Sequence, residues 1–166
     1  MNNKKIIYWL LTGCTLIFIM VVVGGITRLT HSGLSISNYK LISGTLPPMN
    51  ETEWVTAFDL YKQYPEYQKI NSGISLEDFK DIYFWEWIHR VIGRFIGLVF
   101  LIPFLYFLFK KQLSKATIKK CIVLLVLGSC QGFLGWYMVK SGLVDNPDVS
   151  HYRLAMHLTT AFITFA

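Results

Sequence analysis

The chain has 166 residues, 53% of them hydrophobic and 16% charged, with a formal net charge of +6. That is too apolar for an ordinary soluble domain, and the length suits one compact unit with little room for a second. The excess charge is not spread over a face: Lys4 and Lys5 precede the first apolar run, and Lys110, Lys111, Lys115, Lys119 and Lys120 lie between the second and third, while the acids fall almost wholly elsewhere. Such segregation is the positive-inside pattern of a polytopic membrane protein. It argues against a nucleic-acid partner, whose binding face would interleave cations and aromatics on an exposed surface.

The first apolar run, about residues 6–26, contains "IIYWLLTGCTLIFIMVVVGG". It is longer than the apolar region of a signal peptide and lacks a small-x-small cleavage site, so it reads as a retained helix. The leading lysines place the amino terminus in the cytoplasm, and the later loops then alternate across a cell inner (plasma) membrane. Cys14 lies in this run and Cys121 and Cys130 in the third, none in an outward loop, so the cysteines read as small packing residues with no disulfide framework.

The loop that follows, about residues 27–83, is too long for a bare connection. It leaves the first helix through Gly24 and Gly25, which permit a turn or a close backbone approach. Asn50 with Glu53 three residues later is a capping-box-like start, and Trp54, Ala57, Phe58 and Tyr61 recur on one helical face. These predict an amphipathic helix over about 51–63, lying on the membrane surface or over the outer mouth of the bundle. "SLEDFKDIY" repeats the signal with Ser75 and Asp78, so a second helix starts there and runs into the membrane.

Two further apolar runs cover about 85–109 and 121–139. The loop "KSGLVDNPDVS" after them carries turn signals at Gly142 and Asn146-Pro147. The fourth run begins at His151 and has only about 16 residues, ~24 Å of helix against a hydrocarbon core of ~30 Å. No polar cap or basic anchor follows, so the chain is expected to stop inside a helix, as a piece of a longer protein. The fold expected is an all-α integral-membrane bundle of four helices.

The second of these helices carries "WEWIHRVIGR", which takes Glu86, His89, Arg90 and Arg94 toward hydrocarbon, where a charge at mid-depth costs roughly 2.5 kcal/mol or more. His89 lies about four residues, ~6 Å, below the outer surface, and His157 of the fourth helix about six residues, ~9 Å. Two imidazoles at matched depth on parallel helices suit the axial ligation of a haem. The plainer reading is that each is a polar side chain bonded to a neighbouring helix. Zinc suits the spacing less well, since no third or fourth ligand lies at that level. His31, in the loop, and His151, on another face at the interface, read as surface residues. Glu86, three residues before His89, either pairs with Arg90, Arg94 or Arg153, or faces a ligand held by His89 and handles a proton or developing charge. Arg28, Arg90, Arg94 and Arg153 near the outer boundary suit haem propionates and equally suit phospholipid headgroups.

Five segments in order, "GGITRLTHSGLSI", "PEYQKIN", "EWIHRVIGR", "QGFLGWYMVKSGL" and "VSHYRLAMHL", resemble the haem A synthase family over nearly the whole chain. The resemblance implies an eight-helix protein of two pseudo-symmetric halves, with residues 1–166 as the amino-terminal, haem-binding half. It implies oxidation of a haem O methyl group through a gem-diol to the formyl of haem A, for terminal oxidase biogenesis. On it, His89 and His157 match the ligands of the substrate iron, and Glu86 matches the catalytic acid. A haem b belongs to the carboxy-terminal half. The partners implied are a haem O synthase, a membrane electron donor and a second copy of the protein. The cysteine pair that some bacterial members carry in the first outward loop is absent, as in the branch shared with mitochondria and many Gram-negative bacteria. Two other readings stand beside this one: a non-catalytic b-type cytochrome, and a haem-binding assembly factor. A transporter fits less well, because no pair of broken helices is visible.

Overall fold

The computed structural model describes residues 3–36, 45–142 and 150–166, all helix, turn or loop. The turn expected at Asn146-Pro147 lies outside the described residues. The elements are α1 (Asn3–Leu29), α2 (Glu51–Tyr61), α3 (Pro65–Lys69), α4 (Leu76–Phe109), α5 (Lys115–Gly142) and α6 (His151–Phe165). Three of them, α1, α4 and α5, are long and apolar enough to cross a membrane. With 15 residues, α6 reaches only ~22 Å at 1.5 Å per residue.

The chain does not leave α1 at Gly24 and Gly25, as the sequence suggested; the helix continues to Leu29. It ends instead in a Schellman turn. His31 adopts the left-handed region at φ 50, and the Ser32 amide donates back to the Thr27 carbonyl at 3.0 Å. Glycine usually fills that position, although histidine is among the side chains enriched there. The turn folds the following segment inward, so that Ser32, Leu34 and Ser35 are buried.

Both N-terminal caps form as their residues dictate. Asn50 accepts from the Glu53 amide at 2.9 Å, and Ser75 and Asp78 close a reciprocal capping box at the start of α4. The apolar face of α2 rests on α4: Phe58, Tyr61 and Phe79 form a buried aromatic cluster, flanked by Trp54, Ala57, Tyr67 and Tyr83. Together α2 and α3 make a cap on the amino-terminal end of α4.

At the opposite end, Trp9, Phe104, Phe107 and Cys121 join α1, α4 and α5. Pro103 sits within α4 and has no N–H to give the Val99 carbonyl four residues earlier. The indole N–H of Trp9 takes that place, donating to the Val99 oxygen at 3.0 Å. Between the two ends α1 packs along α4 and α5 along α6, with α6 also touching α1.

Candidate functional site

Glu86 is 3% exposed, a carboxyl buried about two helical turns along α4 from Phe79 of the aromatic cap. Its Oε2 lies 2.7 Å from the Ser35 hydroxyl and accepts from the Ile36 amide at 2.6 Å. Its Oε1 is paired with the Arg90 guanidinium, one turn further along α4. Arg90 also donates to the Ile36 carbonyl at 3.2 Å. The segment delivered by the Schellman turn is therefore gripped at both ends of one peptide neighbourhood, by the carboxylate and by its counter-ion. Of the arginine partners open to Glu86, Arg90 is the one the fold supplies. Arg153 instead lies over the Tyr137 ring at 4.5 Å. Arg28 is in the last turn of α1, where a cation suits the negative end of the helix.

The two histidines sit deeper in the bundle, each against a glycine of the neighbouring helix. A Cβ on Gly24 of α1 would stand 3.2 Å from His89 Nε2, and one on Gly135 of α5 would stand 3.3 Å from His157 Cε1. No side chain larger than hydrogen leaves these rings where they are. Gln131 ties α5 to α6, its Nε2 donating to the His157 carbonyl at 2.9 Å. His31 and His151 are exposed.

Buried polar atoms ordinarily have partners, and each exception asks for an explanation. Among the described residues, His157 Nδ1, Arg94 Nη1 and Gln131 Oε1 are buried without one. An imidazole nitrogen, a guanidinium nitrogen and an amide oxygen, left unpaired in one half of the bundle, fit a bound group that brings a metal, carboxylates and a hydroxyl. A haem brings the first two. Among the described residues no three His, Cys, Asp or Glu side chains converge as a metal cluster.

Sequence reasoning alone did not find Ser35, Ile36 or Gln131, and it took Gly24 for a helix exit. Gly135 and Gln131 lay within a motif already singled out, a polar residue and a glycine inside an apolar run. Ser35 and Ile36 closed another such motif, "GGITRLTHSGLSI", with nothing in its spacing to tie them to Glu86.

The COX15-CtaA family, described as cytochrome oxidase assembly protein, matches residues 7–166. A protein of Flavobacterium johnsoniae named "Heme A synthase" is 65% identical over 99% of this chain and 49% of its own length. The protein of that name from Flavobacterium psychrophilum is 64% identical over the same shares, and that from Parvibaculum lavamentivorans is 53% identical over 99% of this chain and 48% of its own. The chain spans about half the length of the curated relatives it matches. No solved structure matches it.

Proposed function

Because the chain belongs to the COX15-CtaA family of cytochrome oxidase assembly proteins, we propose that it is the amino-terminal, substrate-binding half of a membrane haem A synthase. The relatives' name and the unpaired polar atoms of α4, α5 and α6 support the same reading. The substrate is haem O, whose methyl group is oxidised to a formyl with water supplying the oxygen, the electrons and protons released passing to an oxidant outside this chain. His89 and His157 hold its iron from α4 and α6, and Arg94 takes a propionate with its unpartnered nitrogen. Arg28 and Arg153 lie further out, toward the headgroups or a second propionate. A haem b in the carboxy-terminal half, a membrane electron donor, a haem O synthase and a second copy of the chain complete the assembly. In this reading α6 is the fourth span, the amino terminus is cytoplasmic, and the membrane is the cell inner membrane.

Glu86 is the residue to which we assign chemistry. Three residues separate it from His89, so the two project to neighbouring faces of one turn. Arg90, Ser35 and Ile36 hold its carboxylate rigidly, at a depth where water is scarce and electrostatic effects are strong. A carboxylate so placed stabilises positive charge at the reacting carbon or removes a proton from the attacking water. The single observation that carries the assignment is the buried Glu86 network beside the histidine pair.

Glu86→Ala tests it. Haem binding should survive, since no ligand is touched, while pigment extracted from membranes should stall before the formyl stage. Normal accumulation of haem A would overturn the role. One observation favours a second reading: both Glu86 oxygens are already engaged by protein donors. A non-catalytic b-type cytochrome or haem-binding assembly factor needs no more than that. It predicts that the purified, intact protein binds haem O and returns it unchanged.

A further inference from the structure

Gln131 is a polar side chain inside the apolar run of α5, with no role in the chemistry above. Its Nε2 donates to the main-chain carbonyl of His157 in α6 at 2.9 Å. A carbonyl only accepts, so the nitrogen end of the amide has to face it. The other end, Oε1, is buried without a partner. Gly135 follows one turn later on the same face of α5, and a Cβ there would stand 3.3 Å from His157 Cε1. Gln131 therefore holds the main chain of His157, and Gly135 admits its ring.

Helix α6 has few means of fixing its own rotation. None of its side chains is buried, and Ser150 at its N-cap makes no side-chain capping bond. The hydroxyls of Thr160 and Thr164 turn back onto carbonyls of α6 itself, at 2.8 and 2.7 Å. Arg153, one turn before His157, lies over Tyr137 of α5, a contact on an exposed ring. The imidazole of His157 has no partner on Nδ1. The hydrogen bond that usually sets the direction of a metal-bound imidazole is missing on that side, and orientation falls to the main chain and to packing.

We infer that Gln131 is a positioning residue for His157: its amide pins α6 to α5 at that residue, so the imidazole meets the iron at one rotation and one height. The inference rests on the proposed reading of His157 as an iron ligand. A donor atom at a metal has to stay within about 0.2 Å of its bonding distance, whereas each helical residue rises ~1.5 Å. A small slide of α6 along α5 is therefore enough to take the ring off the iron. The bond from Gln131 falls on the carbonyl of the ligand residue itself, where a slide or a turn is felt first.

A double-mutant cycle on the purified, intact protein separates this role from packing without relying on turnover. Q131M keeps the length of the side chain and removes its polar atoms, Q131A removes the side chain beyond Cβ, and H157A removes the ligand. Haem O is titrated into each haem-depleted protein, and the ferric low-spin resonance that H157A abolishes marks the haem that His157 holds. In Q131M and Q131A that resonance should shift or give way to a high-spin one, and haem O should bind about tenfold more weakly, as when the outer partner of a metal ligand is lost. In the H157A background the same substitutions should change neither affinity nor spectrum, because no ligand is left to position. An unshifted resonance with wild-type affinity in both Gln131 variants would overturn the inference. So would an equal loss of affinity with and without His157, which would mean that Gln131 touches the haem or only packs. The proposed function fails separately: if H157A abolishes no resonance, His157 is not a ligand, whatever the Gln131 variants do.

Discussion

The Glu86 network and the histidine region lie on the same two long helices, yet they are finished to different degrees. Both Glu86 oxygens have protein partners: Ser35, Ile36 and Arg90 close on one carboxylate, beneath a cap of stacked aromatics. Elsewhere the opposite holds: Arg94 Nη1 of α4, Gln131 Oε1 of α5 and His157 Nδ1 of α6 are buried and unpaired. The first region is built by the chain alone. The second leaves polar atoms unpaired, and Gly24 and Gly135 stand against its two imidazoles. The contrast is between polar groups that the chain pairs itself and polar groups that it leaves unpaired.

The sharpest way to break that contrast is Arg90→Leu. It leaves the buried Glu86 charge without its cation, a change that typically costs ~3–5 kcal/mol, and it releases the Ile36 carbonyl as well. The protein should unfold at markedly lower temperature with or without haem, as followed by thermal denaturation in detergent. Arg90→Leu combined with Glu86→Leu should recover part of the loss, because no unpaired charge remains. If Arg90→Leu lowered haem affinity and left the thermal midpoint alone, the two regions would not be separable in this way.

Gly24→Val and Gly135→Val probe the other side. Each introduces a Cβ that stands 3.2 or 3.3 Å from an imidazole atom, tighter than most packed Cβ contacts, and overpacking of this kind costs about 1–3 kcal/mol. The expected result is a displaced histidine: altered or lost low-spin haem absorbance, with the cap and the Glu86 network intact by limited proteolysis. Alanine at the same positions should give the smaller version of the same effect. An unchanged haem spectrum in both valine variants would mean that the glycines serve helix packing and not the ligands.

Which parts could be foreseen follows from how local their causes are. The caps of α2 and α4 depend on residues three apart, Asn50 with Glu53 and Ser75 with Asp78, and both were legible. The face of α2 that meets α4 was visible as a helical repeat of Trp54, Ala57, Phe58 and Tyr61. The partners of Glu86 were not: Ser35 and Ile36 lie about fifty positions away and are brought close only by the turn at His31. Glu66 lay within "PEYQKIN" with no role assigned, and only the packing of α2 and α3 shows it buried. Gly24 was noticed and misjudged, because a glycine that ends a helix and a glycine that makes room for a neighbour look alike in one sequence. Tertiary packing decided between the two.

The smallest effect lies farthest from the site, at the Trp9 end of the bundle. Trp9→Phe removes the indole donor from the Val99 carbonyl, at a cost of about 1 kcal/mol for the bond and more if the oxygen stays buried and unpaired. It also trims the aromatic packing on Phe100 and Phe107, so the single variant does not separate the two effects. A cycle with Pro103→Ala does, because alanine restores the helical N–H that the proline lacks. The smaller ring weakens packing by the same amount in both backgrounds, whereas the carbonyl is orphaned only beside the proline. Trp9→Phe should therefore destabilise the wild type more than the Pro103→Ala variant, by about 1 kcal/mol in reversible unfolding. Equal destabilisation would mean that α4 satisfies Val99 without help from α1, and that Trp9 acts there through packing alone.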